Sequence, residues 1–181
     1  MTLDKRALRA RMRATRDAFF ATSPRPIVAG ADFTALLPHA ATVASYVPIG
    51  SEADPMWLAR AAVEQGCAIV LPHVTSRAEP IRFLAWDAED DLAPGPFGLQ
   101  QPHHASPALA PDLVLTPLVA FDSALNRLGQ GAGHYDRAFA EFPNAVRIGV
   151  AWSVQQVDTL PADPWDMPLH AIATETGWIT R

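Results

Sequence analysis

Residues 126–137 read Asn-Arg-Leu-Gly-Gln-Gly-Ala-Gly-His-Tyr-Asp-Arg, with glycine at every second position from Gly129 to Gly133. The stretch follows an apolar run at 113–118 that predicts a strand and leads into a predicted helix at 135–142. Glycine tolerates positive φ and lets a ligand approach the backbone closely. The following helix offers unpaired N–H groups and a positive dipole end. This strand–loop–helix order predicts an α/β fold and a candidate phosphate site.

Two charged residues flank the glycines. Arg127 can clamp phosphate oxygens with its guanidinium. Asp136 has two interpretations: an acid that favours the dipole of a helix's first turn, or a hard oxygen ligand for magnesium near phosphates. The stretch is neither a Walker loop nor a GxGxxG dinucleotide fingerprint. A purely structural glycine turn remains the alternative, and the two charges favour phosphate binding.

Short apolar strands alternate with helices along the rest of the chain. This alternation favours α/β layers around a largely parallel sheet. The length of 181 residues fits one domain, and the Pro- and Gly-rich segments at 87–106 and 161–168 are interpreted as loops around a site. Strands are predicted at 42–47, 68–71, 81–86, 113–118, 146–151 and, as a last extended piece, 172–179; helices are predicted at 5–20, 26–37, 55–65 and 135–142.

Composition excludes several classes of protein. Hydrophobic residues make up 49% of the chain, so disorder throughout is not expected. Residues 1–16 hold six of the 14 Lys and Arg against one acid, whereas the remaining residues carry eight basic and 18 acidic ones. Such an acidic body is a poor partner for nucleic acid. A charged start, no long apolar run and one cysteine, Cys67, lead us to expect a cytoplasmic protein with no membrane segment.

The basic segment predicts an N-terminal helix over residues 4–20, with Asp4 as its N-cap. Helical spacing predicts an inner stripe formed by Leu8, Met12, Thr15 and Phe19. Lys5, Arg9, Arg13 and Arg16 are predicted to form a basic face beside that stripe. Lys5 is the only lysine in the sequence. The face is either a solvated polar surface or a site for one anionic ligand, and the residues alone leave both open.

The sequence resembles the 5-formyltetrahydrofolate cyclo-ligase family, also called methenyltetrahydrofolate synthetases. The signature of that family has Phe-Asp and then Arg-Leu-Gly-x-Gly-x-Gly-Tyr-Tyr-Asp-Arg, which matches Phe121-Asp122 and residues 127–137. Weaker matches in the right order extend over nearly the whole chain, from 5–9 and 46–52 to 166–168 and 174–175. Three positions depart from the pattern: His134 replaces a tyrosine, Ala132 a glycine or lysine, and Gln101 a glutamate.

The resemblance implies a single three-layer domain over residues 1–181, with a mostly parallel central sheet flanked by helices. It also implies roles for individual residues. Lys5, Arg127 and Asp136 would be catalytic, Asp136 and Asp166 would hold Mg²⁺, and Val47 and Glu52 would contact the folate. From sequence alone, Glu52 would otherwise be a solvated loop acid and Asp166 a turn residue. The implied ATP contacts are Lys5, Arg6, Ala7, Leu8, Arg9, Arg127, Leu128, Gly129, Gln130, Gly131, Ala132, Gly133, His134 and Tyr135.

The implied reaction converts ATP and 5-formyltetrahydrofolate to 5,10-methenyltetrahydrofolate, ADP and phosphate. We expect a monomer that uses these two small molecules and Mg²⁺ and binds neither nucleic acid nor membrane. Two alternatives remain open: a diverged relative that binds nucleotide but acts on another substrate, and a non-catalytic module that uses the basic first helix for interactions.

Overall fold

The computed structural model describes residues 4–37, 41–161, 163 and 166–180. Its helices are α1 (Lys5–Phe20), α2 (Ala31–Thr34), α3 (Met56–Glu64) and α4 (His134–Glu141), with 3₁₀ turns at Pro96–Gly98 and Ser153–Gln155. Its strands are β1 (Thr42–Ala44), β2 (Ala68–His73), β3 (Arg82–Ala85), β4 (Ala93–Pro94), β5 (Gln100–Gln101), β6 (Leu113–Pro117), β7 (Ala120–Phe121), β8 (Arg127–Leu128), β9 (Val146–Val150), β10 (Ala171–Thr174) and β11 (Gly177–Thr180).

Seven strands form one sheet in the order β11-β10-β9-β6-β1-β2-β3. The five inner strands pair in parallel, and only β11 and β3 pair antiparallel, one at each edge. The inner strands are apolar and almost fully buried, as expected of parallel strands covered on both faces. The prediction of a mostly parallel central sheet is confirmed.

The sheet carries a separate core on each face. One core joins α2 and α3 to the sheet through Phe33, Leu58 and Ala62. The other joins α4 through Ala138 and Phe139. Helices on both faces of a sheet make a three-layer α/β arrangement, which confirms the predicted fold class.

The strand order produces a crevice between β1 and β6. From β1 the chain passes to β2 on one side, whereas β6, β9 and β10 follow one another on the other side. Connections that leave neighbouring parallel strands in opposite directions open a crevice at the carboxyl ends of those strands. The segments that follow β1 and β6 are therefore placed to form a ligand site.

Helix α1 largely follows the sequence prediction. The Asp4 carboxylate accepts a hydrogen bond from the Arg6 backbone N–H, which confirms the N-cap. The buried stripe, however, is Leu8, Met12 and Arg16, at spacings of four residues. The placement of Thr15 on the inner stripe is wrong, because Thr15 is exposed. Arg16 is buried instead because its Nε donates to Ser51 Oγ at 3.0 Å.

Three other predicted elements differ from the structure. The helix predicted at 26–37 contracts to α2, because Gly30 has extended backbone angles and acts as the N-cap. The predicted glycine loop includes β8, which pairs with β7 as a short hairpin. The single extended piece predicted at 172–179 is a hairpin of β10 and β11. Its turn forms because Gly177 takes a φ of 145° and donates its N–H to Thr174 Oγ1.

No helix in the described part of the chain is both long and apolar enough to cross a bilayer.

Gly149 in β9 provides a test of the packing in the core between the sheet and the layer that contains α4. A Cβ added there would lie 2.8 Å from side-chain carbons of both Leu118 and Leu169. We expect Gly149→Ala to lower the free energy of unfolding by about 1–3 kcal/mol through overpacking. Urea denaturation measures the change.

Gly30→Ala is the matched control, because a Cβ at Gly30 meets no atom within 4 Å. The cap preference for glycine and the lower unfolded-state entropy of alanine roughly offset each other there. Equal stability of the two variants would contradict the packing described for β9.

Candidate functional site

A cavity of about 410 Å³ opens at the carboxyl ends of β1, β2 and β6. It lies at the crevice that the strand order creates. The segment after β1, the glycine loop and the start of α1 all contribute to its wall. Of the residues implied by the resemblance, the wall contains Lys5, Arg9, Val47, Glu52, Arg127, Leu128, Gly129, Gln130, Gly131, Ala132, Gly133, His134, Tyr135, Asp136 and Asp166.

The glycine loop runs from β8 into α4 along one side of the cavity. Gly131 has a φ of 106° and Gly133 a φ of 70°, both in the left-handed region that favours glycine. A Cβ at Gly131 would also contact the Arg9 guanidinium at 3.5 Å. The N-cap residue of α4 is Gly133, which has no side chain that could accept a hydrogen bond from the helix. The first N–H groups of α4 are therefore available to an anion.

Asp122 supports the base of this loop. It is buried, and its carboxylate accepts hydrogen bonds from the backbone N–H groups of Ala124, Asn126 and Leu160 at 2.9–3.0 Å. One carboxylate therefore joins the loop to the segment that leads to Asp163 and Asp166. The Phe121-Asp122 pair, noted in the sequence only as part of a signature, has a structural role.

The basic face of α1 points at the loop. Arg9 Nε donates to the Gly129 carbonyl at 2.8 Å, and Arg13 donates to the Gln130 side-chain oxygen at 2.7 Å. Lys5 Nζ lies 2.6 Å from Asp163 Oδ2 and 3.7 Å from Asp166 Oδ2. A merely solvated face is therefore the wrong interpretation of these cations.

The other predicted contacts on α1 lie outside the cavity wall. Arg6 and Ala7 are exposed, and Leu8 is buried below the helix in a cluster with Val119 and Leu128. Among the residues of α1, Lys5 and Arg9 are thus the two that line the cavity.

Arg127 and Asp136 form an ion pair within the cavity wall. The Arg127 side chain is only 5% exposed, and its guanidinium also lies over the Phe139 ring. Burial lowers the pKa of Arg127, and the Asp136 carboxylate opposes that shift. Asp136 is in the first turn of α4, so it both favours the helix dipole and neutralises a buried cation.

The carboxylates of Asp136 and Asp166 fit the donor set expected for Mg²⁺. Both belong to the same cavity wall and both lie beside cations, Arg127 and Lys5. Among the described residues, no group of three or more His, Cys, Asp or Glu is placed to hold a metal ion. Two carboxylates suit Mg²⁺ held jointly with phosphate oxygens, rather than an ion held by protein alone.

Glu52 is buried, with 8% of its surface exposed, so the solvated-acid interpretation is wrong. Its carboxylate accepts hydrogen bonds from the Ile49 backbone N–H and from Gln130 Nε2, both at 3.0 Å. Gln130 therefore links the glycine loop to Glu52. Burial and then the Glu52 carboxylate raise the pKa of Tyr135, which keeps this phenol a proton donor in the cavity.

Of the three departures from the family pattern, His134 and Gln101 make side-chain contacts, and Ala132 contributes its backbone carbonyl. His134 Nδ1 lies 3.0 Å from Arg137 Nη2, and burial together with that cation lowers the pKa of His134. The Ala132 carbonyl accepts from Arg137 at 3.1 Å. Gln101 is buried, and its amide pairs with both the N–H and the carbonyl of Val74. A glutamate in this place would lack the donor that the carbonyl needs.

Sequence reasoning missed several residues of the wall. Asp163, Tyr46, Arg77 and Phe97 all line the cavity. Asp163 comes from the loop at 161–168, which was predicted to lie around a site, but nothing in the sequence indicates that Asp163 pairs with Lys5. Arg77 lies in a loop that only tertiary structure brings to the site, whereas Phe97 belongs to the segment 87–106 that was predicted to lie around a site, with no role given to this residue.

Comparisons with known proteins agree on one family. The sequence model of the 5-formyltetrahydrofolate cyclo-ligase family matches residues 1–175 of this chain. A 5-formyltetrahydrofolate cyclo-ligase of Escherichia coli is 32% identical over 141 residues, which cover 74% of this chain and 77% of that one. One from Haemophilus influenzae is 38% identical over 96 residues, about half of each chain.

Two solved structures also match. The 5,10-methenyltetrahydrofolate synthetase of Aquifex aeolicus superposes with a TM-score of 0.75 at 27% identity, over 97% of this chain and 92% of that one. The synthetase of Mycoplasma pneumoniae superposes with a TM-score of 0.65 at 26% identity, over 94% and 98%. Sequence, fold and the glycine loop lead to the same conclusion: the chain belongs to the 5-formyltetrahydrofolate cyclo-ligase family.

Proposed function

We propose that this protein uses ATP and Mg²⁺ to cyclise 5-formyltetrahydrofolate to 5,10-methenyltetrahydrofolate. The observation that carries the proposal is the Gln130–Glu52 hydrogen bond of 3.0 Å inside one cavity. It joins a loop built for phosphates to a buried carboxylate suited to the N–H donors of a pterin. A phosphoryl donor and a folate can therefore meet in the same cavity.

The formyl oxygen is a poor leaving group, so it must be activated before the ring can close. The formyl oxygen attacks the γ-phosphorus, the bond to the β-phosphate oxygen breaks, and ADP leaves. The amine nitrogen at position 10 of the folate then attacks the formyl carbon, loses its proton, and the carbon–oxygen bond breaks to release phosphate. In each step a leaving group, first ADP and then phosphate, departs with negative charge on oxygen, so positioning and charge neutralisation are the protein's main contributions.

The cavity supplies these contributions through residues already in place. Lys5, Arg9 and Arg127 contribute positive charge, and the backbone N–H groups before α4 add directed donors. Lys5 pairs with the Asp163 carboxylate and Arg127 with that of Asp136. When ATP binds, its phosphate oxygens would replace these carboxylates as partners of Lys5 and Arg127. Asp136 and Asp166 would then hold Mg²⁺, whose charge would neutralise the transferred phosphoryl group.

The alternatives receive less support. An interaction module based on the basic helix would need that face exposed, whereas Arg9 and Arg13 contact the glycine loop. A relative with a different substrate would have to owe that difference to His134 and Ala132, the two departures that line the cavity. We further propose a cytoplasmic monomer without nucleic-acid or membrane partners, on the basis of the acidic body of the chain.

The purified protein should form methenyltetrahydrofolate from 5-formyltetrahydrofolate only with ATP and a divalent cation. The conjugated product absorbs in the near ultraviolet, so an absorbance assay with and without ATP, Mg²⁺ and EDTA measures it. Full turnover in excess EDTA, or no turnover with any nucleotide, would contradict the proposal.

Lys5→Ala should raise the KM for ATP about ten- to hundredfold, because a charge-assisted bond to phosphate is lost. The substitution also leaves Asp163 and Asp166 without their cation, which adds repulsion toward ATP. Steady-state ATP titrations measure the effect.

Arg11→Ala is the matched control on the same helix, because Arg11 is exposed and does not line the cavity. Arg13 is unsuitable for this purpose since it contacts Gln130. Equal small effects of Lys5→Ala and Arg11→Ala would place the phosphate contacts elsewhere.

Asp166→Asn should raise the Mg²⁺ concentration for half-maximal activity at least tenfold while leaving thermal stability nearly unchanged. The Asp166 side chain is partly exposed, so removing its charge leaves no buried cation unpaired. Asp136→Asn would be less informative, because it leaves the buried Arg127 without its carboxylate partner and so also lowers the free energy of unfolding.

Asp158→Asn provides the control, as Asp158 is exposed in the same C-terminal segment and outside the cavity wall. Magnesium titrations of the three proteins at saturating ATP compare them. An unaltered magnesium response in Asp166→Asn would remove Asp166 from the metal site.

A further inference from the structure

Helix α1 carries a third cation that contacts the cavity wall from outside the cavity. Arg13, one turn beyond Arg9, is half-buried and is not itself part of that wall. Its Nε and Nη2 both donate to the side-chain oxygen of Gln130, at 3.1 and 2.7 Å. Arg13 has no place among the proposed substrate contacts, yet two of its donors are committed to a residue that lines the cavity.

These two hydrogen bonds fix which way the Gln130 amide faces. A guanidinium carries donors and no acceptor, so the end of the amide turned toward Arg13 must be its oxygen. The NH₂ end therefore faces the other way, where Nε2 donates to Glu52 Oε1 at 3.0 Å. Without the guanidinium, the amide could rotate about its last side-chain bond and turn its oxygen toward the carboxylate, which would repel it.

The Glu52 carboxylate depends strongly on that amide. Within the described part of the chain it accepts one further hydrogen bond, from the Ile49 N–H to Oε2 at 3.0 Å. Arg16 Nη1 lies 3.9 Å from Oε1, which is too far for a hydrogen bond. The Gln130 amide therefore sets the position of Oε1. Because Glu52 is buried, water cannot easily replace a donor that is lost.

We propose that Arg13 is a positioning residue for the folate substrate. It orients the Gln130 amide, and the amide holds the Glu52 carboxylate in the geometry that accepts the N–H groups of the pterin. The guanidinium also polarises the amide, which strengthens the hydrogen bond from Nε2 to the carboxylate. Arg13 itself touches neither substrate. The inference rests on the proposed function, because it takes Glu52 as the partner of the pterin.

The test compares Arg13→Ala with Arg11→Ala, which removes one positive charge from an exposed position of the same helix outside the cavity wall. In calorimetric titrations, Arg13→Ala should bind 5-formyltetrahydrofolate about 3- to 10-fold more weakly, the effect of one misplaced hydrogen bond. Arg11→Ala should bind it like the unaltered protein. Equal affinities of the two variants would overturn the proposal.

A second ligand separates this role from general support of the glycine loop. Arg13 Nη2 also reaches the backbone carbonyl of Gln130, at 3.4 Å, so loss of Arg13 could loosen the loop as a whole. We expect the Kd of a non-hydrolysable ATP analogue with Mg²⁺ to be unchanged in Arg13→Ala. Equal weakening of the analogue and of the folate would show that Arg13 only supports the loop, and would also overturn the proposal.

A double-mutant cycle shows whether Arg13 acts through the Gln130 side chain. Gln130→Ala removes the amide, so adding Arg13→Ala to it should weaken folate binding no further. The same weakening by Arg13→Ala in both backgrounds would contradict the proposal. An unaltered protein that binds 5-formyltetrahydrofolate with this dependence on Arg13 but shows no turnover would contradict the proposed function alone. Failure of the unaltered protein to bind the folate would contradict both.

Discussion

The site depends on the packing of α1 against the β7–β8 hairpin. Leu8 and Met12 are buried in one cluster with Val119, Ala120 and Leu128. Truncating a buried leucine to alanine typically costs about 2–5 kcal/mol, whereas a single polar contact contributes about 0.5–1.5 kcal/mol. The apolar stripe therefore decides where α1 lies. Lys5 reaches Asp163, and Arg9 and Arg13 reach the glycine loop, because they share a helix with that stripe; each partner lies more than a hundred residues away.

Internal charge pairing is the second constraint on the cavity. A buried guanidinium such as that of Arg127 is stable only with an anion nearby, and Asp136 provides one from the first turn of α4. Lys5 finds Asp163 in the same way, although both side chains are more exposed. These two ion pairs thus hold Lys5 and Arg127 at the cavity wall.

The general architecture was predictable because it follows from local pattern. Runs such as 113–118 and 146–151 are mostly apolar and rich in Leu, Val and Ile, and they form the inner parallel strands β6 and β9. The Asp4 cap and the glycine loop were also readable, since each depends on a few neighbouring residues. The wider family resemblance then supplied residues such as Glu52, whose burial no local pattern indicates.

The remaining features depend on distant contacts. Arg16 is buried because Ser51 accepts its hydrogen bond, and helical periodicity predicted Thr15 on that face instead. The turn that separates β10 from β11 uses a Thr174 hydroxyl, which does not stand out in a β-rich segment. Asp163 and Arg77 belong to the cavity only because loops from different parts of the chain meet there.

Lys5 carries the only side-chain amine in the 181 residues, and that amine lines the cavity. Amine-directed chemistry therefore has one side-chain target in this protein. Attachment to a sensor surface through lysine, or labelling with an acylating dye, would place the matrix or the dye in the cavity itself. Conversely, protection of this amine by a bound polyphosphate would report occupancy directly, with no need for an introduced probe. Because all the remaining Lys and Arg positions are arginine, side-chain amine reagents modify this protein selectively at the cavity.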